Sequence, residues 1–225
     1  MTTAPASASA TVRSRVAELA AGLIKPWQNG YLADRSNDVA VLARLRRGAG
    51  HSALEIPDLW GLVNTDPLHQ QDERGTALSD LTLTRAEDAL YTTLTLWALH
   101  QQSRRTRMHR LSTSEHSGGL GAAVRQLMPT GAIDEAVLKR LVRAGTAPDI
   151  VSLSKRLRDL VVLLRRADIP LDYGLLAGQL YAWQWPGGRE AVRREWGRSF
   201  HTRQPKETAN SNIDTGFDSD DRDAS

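Results

Sequence analysis

The side chains whose types and spacing could do chemistry in this sequence are arginines, and the chemistry is phosphate binding. Of 29 basic residues, 25 are arginines, and the planar guanidinium forms forked hydrogen bonds to phosphate oxygens. The basic residues cluster, which favours an acidic partner such as a nucleic acid. The candidate nucleic-acid-binding residues are Arg46, Arg47, Arg104, Arg105, Arg107, Arg110, Arg140, Arg143, Lys155, Arg156 and Arg158.

One cluster lies on a predicted helix over Asp149–Asp168. Its apolar residues fall within about 100° of one another on a helical wheel and form a core face. Nearly opposite is a cationic stripe with only Asp159 at its edge, formed by Lys155, Arg158, Arg165 and Arg166. A face that is charged only for solubility would interleave acids, so the stripe favours binding.

A second cluster closes a long apolar helix that is predicted from Arg85 to about Arg110. Arg104, Arg107 and Arg110 are spaced by three and would share one face of that helix. Cations are favourable at a helix C-terminus, but four arginines without an acid exceed what capping needs. The following glycine turn, Gly118–Gly121, would present free amides as a weak candidate phosphate seat.

Catalytic and metal-binding patterns are missing from the sequence. None of the six histidines forms a ligand pair with a carboxylate at helical spacing, and there is no cysteine. Nucleophile-elbow, phosphate-loop and dinucleotide motifs are also absent. We therefore expect no enzymatic activity, no cofactor and no metal.

The sequence also bears on location. Met1 to Ala10 has no basic residue and no apolar run, and the longest aliphatic stretch is Val161 to Leu164. These features predict neither a signal peptide nor a membrane span, and a cytoplasmic protein is the expectation.

Apolar residues recur at helical spacing almost throughout, which predicts an all-α fold of two small packed helical bundles. A flexible N-terminus (1–10) would precede bundles at 11–111 and 119–203, separated by a polar loop. A capping box at Thr84–Glu87 would open the long helix. The other predicted helices are Val12–Ile24, ended by Lys25-Pro26, then Ser36 or Asn37 to Gly48, a short turn at Pro57–Leu62, Leu120–Met128, Asp134–Ala144, Asp149–Asp168, Asp172–Trp183 and Arg189–Phe200.

Charge is distributed unevenly between the body and the C-terminus. The total is +3, yet residues 206–225 carry −4 and residues 1–205 carry +7. Residues 204–225 are poor in aliphatics, so we expect a disordered acidic tail. Such a tail could suppress non-specific nucleic-acid binding.

The six tryptophans are expected mainly to be packing anchors rather than base-stacking platforms. Trp97, Trp183 and Trp185 fit that role. Trp60 and Trp196 are candidate surface anchors for a partner protein.

The order of these features resembles the Cse2 (CasB) small-subunit family of the type I-E CRISPR Cascade complex. The segments that carry the resemblance are Leu42–Gly48, Ile56–Trp60, the long helix with its arginine cluster, Gly118–Gly121, Arg140–Arg143, Leu153–Arg156, Ile169–Tyr173 and Leu180–Trp183. Together they cover about residues 12 to 200.

The resemblance implies a non-catalytic helical subunit that is present as a pair in the complex. Its expected protein partners are the backbone and large subunits and a second copy of itself. Its expected nucleic-acid partners are single-stranded DNA and the guide RNA–target hybrid, bound without sequence preference. It would steady the R-loop. The family's basic positions map onto Arg46, Arg47, Arg105, Arg107, Arg110, Arg140, Arg143, Lys155 and Arg156.

Two other functions remain open at this point. The segment Asp134–Asp168 could be a helix-turn-helix of a transcription regulator, with Ser152, Lys155 and Arg156 in the major groove. Its second helix, at about twenty residues, is long for that unit. A scaffold whose arginines bind acidic proteins is the third possibility.

Overall fold

The computed structural model describes residues 5–51, 59, 61–69, 77–113 and 117–201. Their regular structure is α-helical, with one isolated parallel bridge between His109 and Leu171, so the all-α prediction is confirmed. Half of the predicted turn at Pro57–Leu62 lies outside these residues, and the whole of the predicted acidic tail does. The helices are α1 (Pro5–Leu32), α2 (Ser36–Arg47), α3 (Asp66–His69), α4 (Asp80–Gln101), α5 (Leu120–Gln126), α6 (Glu135–Gly145), α7 (Ile150–Arg166), α8 (Tyr173–Trp183) and α9 (Gly188–His201).

Helix α4 is the central element of the fold. Every residue from Ala89 to Gln101 is buried, and α1, α2, α7 and α8 all pack against it. It starts earlier than predicted, because Ser79 is the N-cap and its hydroxyl accepts from the amide of Thr82. The capping box predicted at Thr84 is therefore wrong, and Thr84 lies within the second turn.

The end of α4 also differs from the prediction. The helix stops at Gln101, and Ser103 adopts a left-handed φ of 58°. The Gln101 side chain then organises the next turn: its amide nitrogen donates to the carbonyls of Arg104 and Thr106, at 3.1 and 2.9 Å. Its oxygen accepts from the amide of Met108 at 3.0 Å. These bonds satisfy backbone groups that a continued helix would pair, so residues 102–113 are irregular.

The irregular segment is clamped between α1 and the start of α8. Buried Gln28 on α1 accepts from the amide of His109 and donates to its carbonyl, at 2.8 and 3.1 Å. On the other side, the Leu171 amide donates to the backbone carbonyl of Met108. Asp172 accepts from the amide of Ser112 at 2.8 Å while capping α8. The segment therefore takes its shape from tertiary contacts.

Helix α1 is longer than predicted at both ends. It begins at Pro5, inside the expected flexible N-terminus, and continues through Pro26 to Leu32. An interior proline costs about 3 kcal/mol through its lost hydrogen bond and steric clash. The buried bonds of Gln28 and the stacking of Trp27 on Trp97, with ring centroids 6.3 Å apart, hold the helix beyond it.

The predicted helices α2 and α5 to α9 are confirmed to within two residues at each end. The caps explain this accuracy, because Asp134, Asp149 and Asp172 each accept a backbone amide of the helix they open. The core face predicted for α7 is buried as expected, except for Ile150, which is half-buried.

One apolar core joins helices from both predicted bundles, since α8 packs against α1 and α4 and α7 packs against α4. The boundaries at 11–111 and 119–203 stay a prediction. Among the described residues, no helix is long and apolar enough to span a membrane.

A buried histidine lies where α4 meets α8. His100 is completely buried, with its Nδ1 2.8 Å from the Tyr173 hydroxyl. Burial, reinforced by the charges of Arg104 and Arg165, lowers the pKa of His100 from 6.5 to about 3. Burial also lowers the pKa of His109. The imidazole of His100 is therefore neutral in the folded protein near pH 6.

Acid should destabilise the protein through His100. Below pH 6.5 the His100 imidazole binds a proton in the unfolded chain but stays neutral in the folded chain. The free energy of unfolding therefore falls as the pH falls, by up to about 1.4 kcal/mol per pH unit, until the pH reaches the folded pKa near 3. Urea unfolding at several pH values between 5 and 6.5 should show this slope. His100→Gln, or His100→Asn if that folds better, should lose a large part of it. An unchanged slope would show that His100 titrates normally.

Candidate nucleic-acid interface

The C-terminal end of α2 is brought against the outer face of α7 by a glycine turn. Gly48 caps α2, and Gly50 has a φ of 93°, which favours glycine. A Cβ at Gly50 would lie 3.3 Å from Cδ of Arg158. The turn therefore places Arg46 and Arg47 beside a helix more than a hundred residues away in sequence.

Between these elements lies a cleft of about 750 Å³. Residues of α2, α6 and α7 line it, with Leu99 and Gln102 contributed by the end of α4. Of the charged residues lining it, one is an acid, Asp159. The others, which we call the cationic cleft, are Arg46, Arg47, Arg143, Lys155, Arg156 and Arg158.

Helix α6 contributes Arg143 from its last turn. A guanidinium nitrogen of Arg156 donates to the backbone carbonyl of Arg143, which ties α7 to the end of α6. Arg156 is half-buried, whereas Lys155 and Arg158 are exposed. The two exposed cations present their charge to the cleft. Arg156 also holds the end of α6, which forms one wall of the cleft, against α7.

The Arg104–Arg110 cluster is not where the sequence predicts it. It lies in the irregular segment, so Arg104, Arg107 and Arg110 do not share a helical face. Arg104 is paired with Asp168 at 3.0 Å. The other arginines of the cluster are exposed. None of the cluster lines the cationic cleft, and neither does Arg140, which is exposed on α6.

Six further residues of the cleft were not candidates from the sequence: Ala49, Gly50, His51, Leu99, Gln102 and Asp159. Gln102 accepts from a guanidinium nitrogen of Arg165 at 3.3 Å, which connects the end of α4 to α7. In the sequence, the one local signal that a turn presents Arg46 and Arg47 is the pair of glycines that follows them, on either side of Ala49.

The glycine turn at Gly118–Gly121 has a packing role rather than the predicted phosphate seat. Its four residues are buried. A Cβ at Gly121 would lie only 1.9 Å from the carbonyl oxygen of Trp196, so α9 covers the turn. The amide of Gly118 donates to Ser112 and its carbonyl accepts from Asp172.

Tryptophan packing agrees with the prediction for Trp97 and Trp183, which are buried. The surface role proposed for Trp196 is wrong, because its ring is buried and its Nε1 donates to Gln179 at 2.8 Å. Trp185 is half-buried beneath the guanidinium of Arg85, 4.1 Å from the ring centroid. Trp60 lies outside the described residues.

Helices α6 and α7 do follow one another as a helix-turn-helix would, but their surroundings differ from that motif. A recognition helix needs a free face to enter the major groove. Here the Gly48–Gly50 turn lies against Arg158, and α7 forms one wall of the cationic cleft.

The described part of the chain contains no group of three metal-ligating side chains.

Comparison with known proteins adds independent information. The family described as CRISPR-associated protein Cse2 matches residues 41–201. The crystal structure of CasB from Thermobifida fusca is similar, with 44% identity, a TM-score of 0.73, and coverage of 84% of this chain and 98% of that chain.

A second solved structure, described as a CRISPR RNA-guided surveillance complex, contains a chain of the same fold. It is 22% identical, with a TM-score of 0.56, and the match covers 83% of this chain and 93% of that one. No curated protein matches. From the family match over residues 41–201 and the close structural relative, we conclude that this chain belongs to the CRISPR-associated Cse2 family.

Proposed function

We propose that this protein is a non-catalytic subunit of a Cascade-type RNA-guided DNA surveillance complex, in which the cationic cleft binds a nucleic-acid backbone. Family membership and the relative whose structure is described as a surveillance complex support the assembly. The observation that carries the binding role is the convergence of six cationic side chains from three helices around one carboxylate.

The chemistry of the cleft suits a sequence-blind contact. In RNA-guided recognition, base pairing reads the sequence, so a supporting protein needs only to hold backbone phosphates. Guanidinium groups do this without reading bases, and each phosphate that they neutralise releases counterions. The proposed ligands are the displaced single strand and the guide–target hybrid, which the subunit would stabilise as an R-loop.

The remaining predicted residues form a separate part of the proposed track. Arg105, Arg107 and Arg110 are exposed on the irregular segment, and Arg140 is exposed on α6. Because the irregular segment is clamped by Gln28 and Asp172, its arginines have a fixed backbone from which to reach a strand. Contacts with the backbone and large subunits and with a second copy complete the proposal.

The scaffold alternative makes the same arginines contact acidic proteins. The two alternatives differ in what holds the assembly together. An assembly held by protein contacts survives nuclease treatment, whereas an assembly that depends on a guide co-purifies with RNA. The regulator alternative requires strong preference for one duplex sequence, which the shape of the cleft does not favour.

The assembly can be tested by purifying the tagged chain from cells that express it with its neighbouring genes. We expect other proteins and RNA of a defined length to co-purify, with the RNA protected from nuclease. Proteins recovered without any RNA would favour the scaffold. Recovery of the chain alone would contradict the complex.

The cleft can be tested by charge reversal. Arg47→Glu with Lys155→Glu should weaken binding of labelled single-stranded DNA about tenfold or more in low salt. It should also flatten the salt slope by about 1.4, since each lost single-strand contact contributes about 0.7. Fluorescence anisotropy with two unrelated sequences should give the same loss.

The matched control for the cleft variant is Lys25→Glu with Arg194→Glu. These two residues are exposed and lie outside the cationic cleft, so net charge changes equally. If the control weakens binding as much as the cleft variant does, general charge rather than the cleft explains the affinity.

The irregular segment gives a separate test. Arg105→Glu, Arg107→Glu and Arg110→Glu together should flatten the salt slope by about 2, equally for all sequences, if all three contact phosphates. Circular dichroism should show unchanged helix content because these residues lie outside the helices. Binding that is unchanged in low salt would remove this segment from the track.

A further inference from the structure

The cationic cleft holds its positive charges with little internal compensation. Asp159 is the one carboxylate among its lining residues. Charges of one sign that line a cleft concentrate its potential and attract counter-ions. An acidic segment that stays close to the cleft is therefore favoured as an occupant when nucleic acid is absent.

The described chain ends at a groove beside α6, the helix that also lines the cationic cleft. His201, at the end of α9, lines a groove together with Val142, which lies in α6, and Thr146, which directly follows α6. Arg143, next to Val142 in sequence, lines the cationic cleft. Helix α6, about 10–12 Å across with its side chains, therefore borders both the cleft and the groove where the described chain ends.

The residues that follow His201 have the complementary charge. The acidic tail, residues 204–225, has a net charge of −4. Its aspartates are concentrated near its end: Asp214, Asp218, Asp220, Asp221 and Asp223. Twelve residues lie between His201 and Asp214, and at up to about 3.3–3.6 Å per residue they can span far more than one helix diameter.

We propose that the acidic tail binds in the cationic cleft of the same chain and competes there with nucleic-acid phosphates. The tail and cleft are covalently joined, so the effective concentration is on the order of millimolar. Exposed ion pairs are individually weak and are screened by salt. The contact would therefore exclude weak polyanions at low salt and yield to a ligand that makes many phosphate contacts.

The competition rests on the proposed function, but the contact itself does not, and the two can be measured separately. The full-length chain with Asp214, Asp218, Asp220 and Asp221 changed to asparagine keeps its tail length, and its tail has a net charge of zero. A fluorescent peptide of residues 204–225 is then titrated with this tail-neutral protein, with and without Arg47→Glu and Lys155→Glu. Single-stranded DNA binding is measured for the wild-type and tail-neutral proteins.

We expect the peptide to bind the tail-neutral protein in low salt and to lose that binding with the cleft substitutions, but not with Lys25→Glu and Arg194→Glu. The tail-neutral protein should bind single-stranded DNA about two- to tenfold more tightly than the wild type, with the difference shrinking as salt rises.

Peptide that fails to bind, or that binds equally well after the cleft substitutions, would overturn the inference. Equal DNA affinity of the wild-type and tail-neutral proteins would overturn the competition. If no form of the protein binds DNA while the peptide binds in a cleft-dependent way, the proposed function fails and the intramolecular contact stands.

Discussion

Repulsion among the six cations of the cleft is the constraint that the rest of the structure must oppose. Two unit charges 8 Å apart in water repel by about 0.5 kcal/mol, whereas burying one leucine stabilises by about 1.5–3 kcal/mol. Helices α2 and α7 both bury leucines against α4. Packing on a common helix therefore outweighs the repulsion and holds the six cations in one cleft.

The need to hold α2 and α7 together against this repulsion explains why α4 is buried on every side. A helix with a single apolar face could support α2 or α7, but not both together with α1 and α8. Its termination at Gln101 is part of this arrangement, because Gln102 then lies in the cleft and accepts from Arg165. The pattern of apolar residues from Leu90 to Leu99 predicts the burial, and it does not predict where the helix ends.

Local signals predicted most helices because their caps and stripes are local. The failures have tertiary causes. Arginines at 104, 107 and 110 have helical spacing, yet the Gln101 side chain and the clamp from Gln28 hold that segment out of a helix. Proline at position 26 marks a helix end in sequence, and buried contacts override it. Convergence of Arg47 with Lys155 depends on packing across more than a hundred residues, which no local pattern encodes.

The structure also separates the roles of two adjacent cations, Lys155 and Arg156. Lys155 is exposed on the outer face of α7, so its ammonium is available to a ligand. Arg156 is half-buried, and its guanidinium donates to the carbonyl of Arg143 at the end of α6. A carbonyl there is one of the groups that a helix C-terminus leaves unpaired. Arg156 thus pairs with that carbonyl, which also accepts from the Thr146 hydroxyl at 3.3 Å, and fixes the helix end that carries Arg143, while Lys155 stays exposed. A lysine could not replace Arg156 equally well, because the planar fork can reach the carbonyl with one nitrogen and still present others to the cleft.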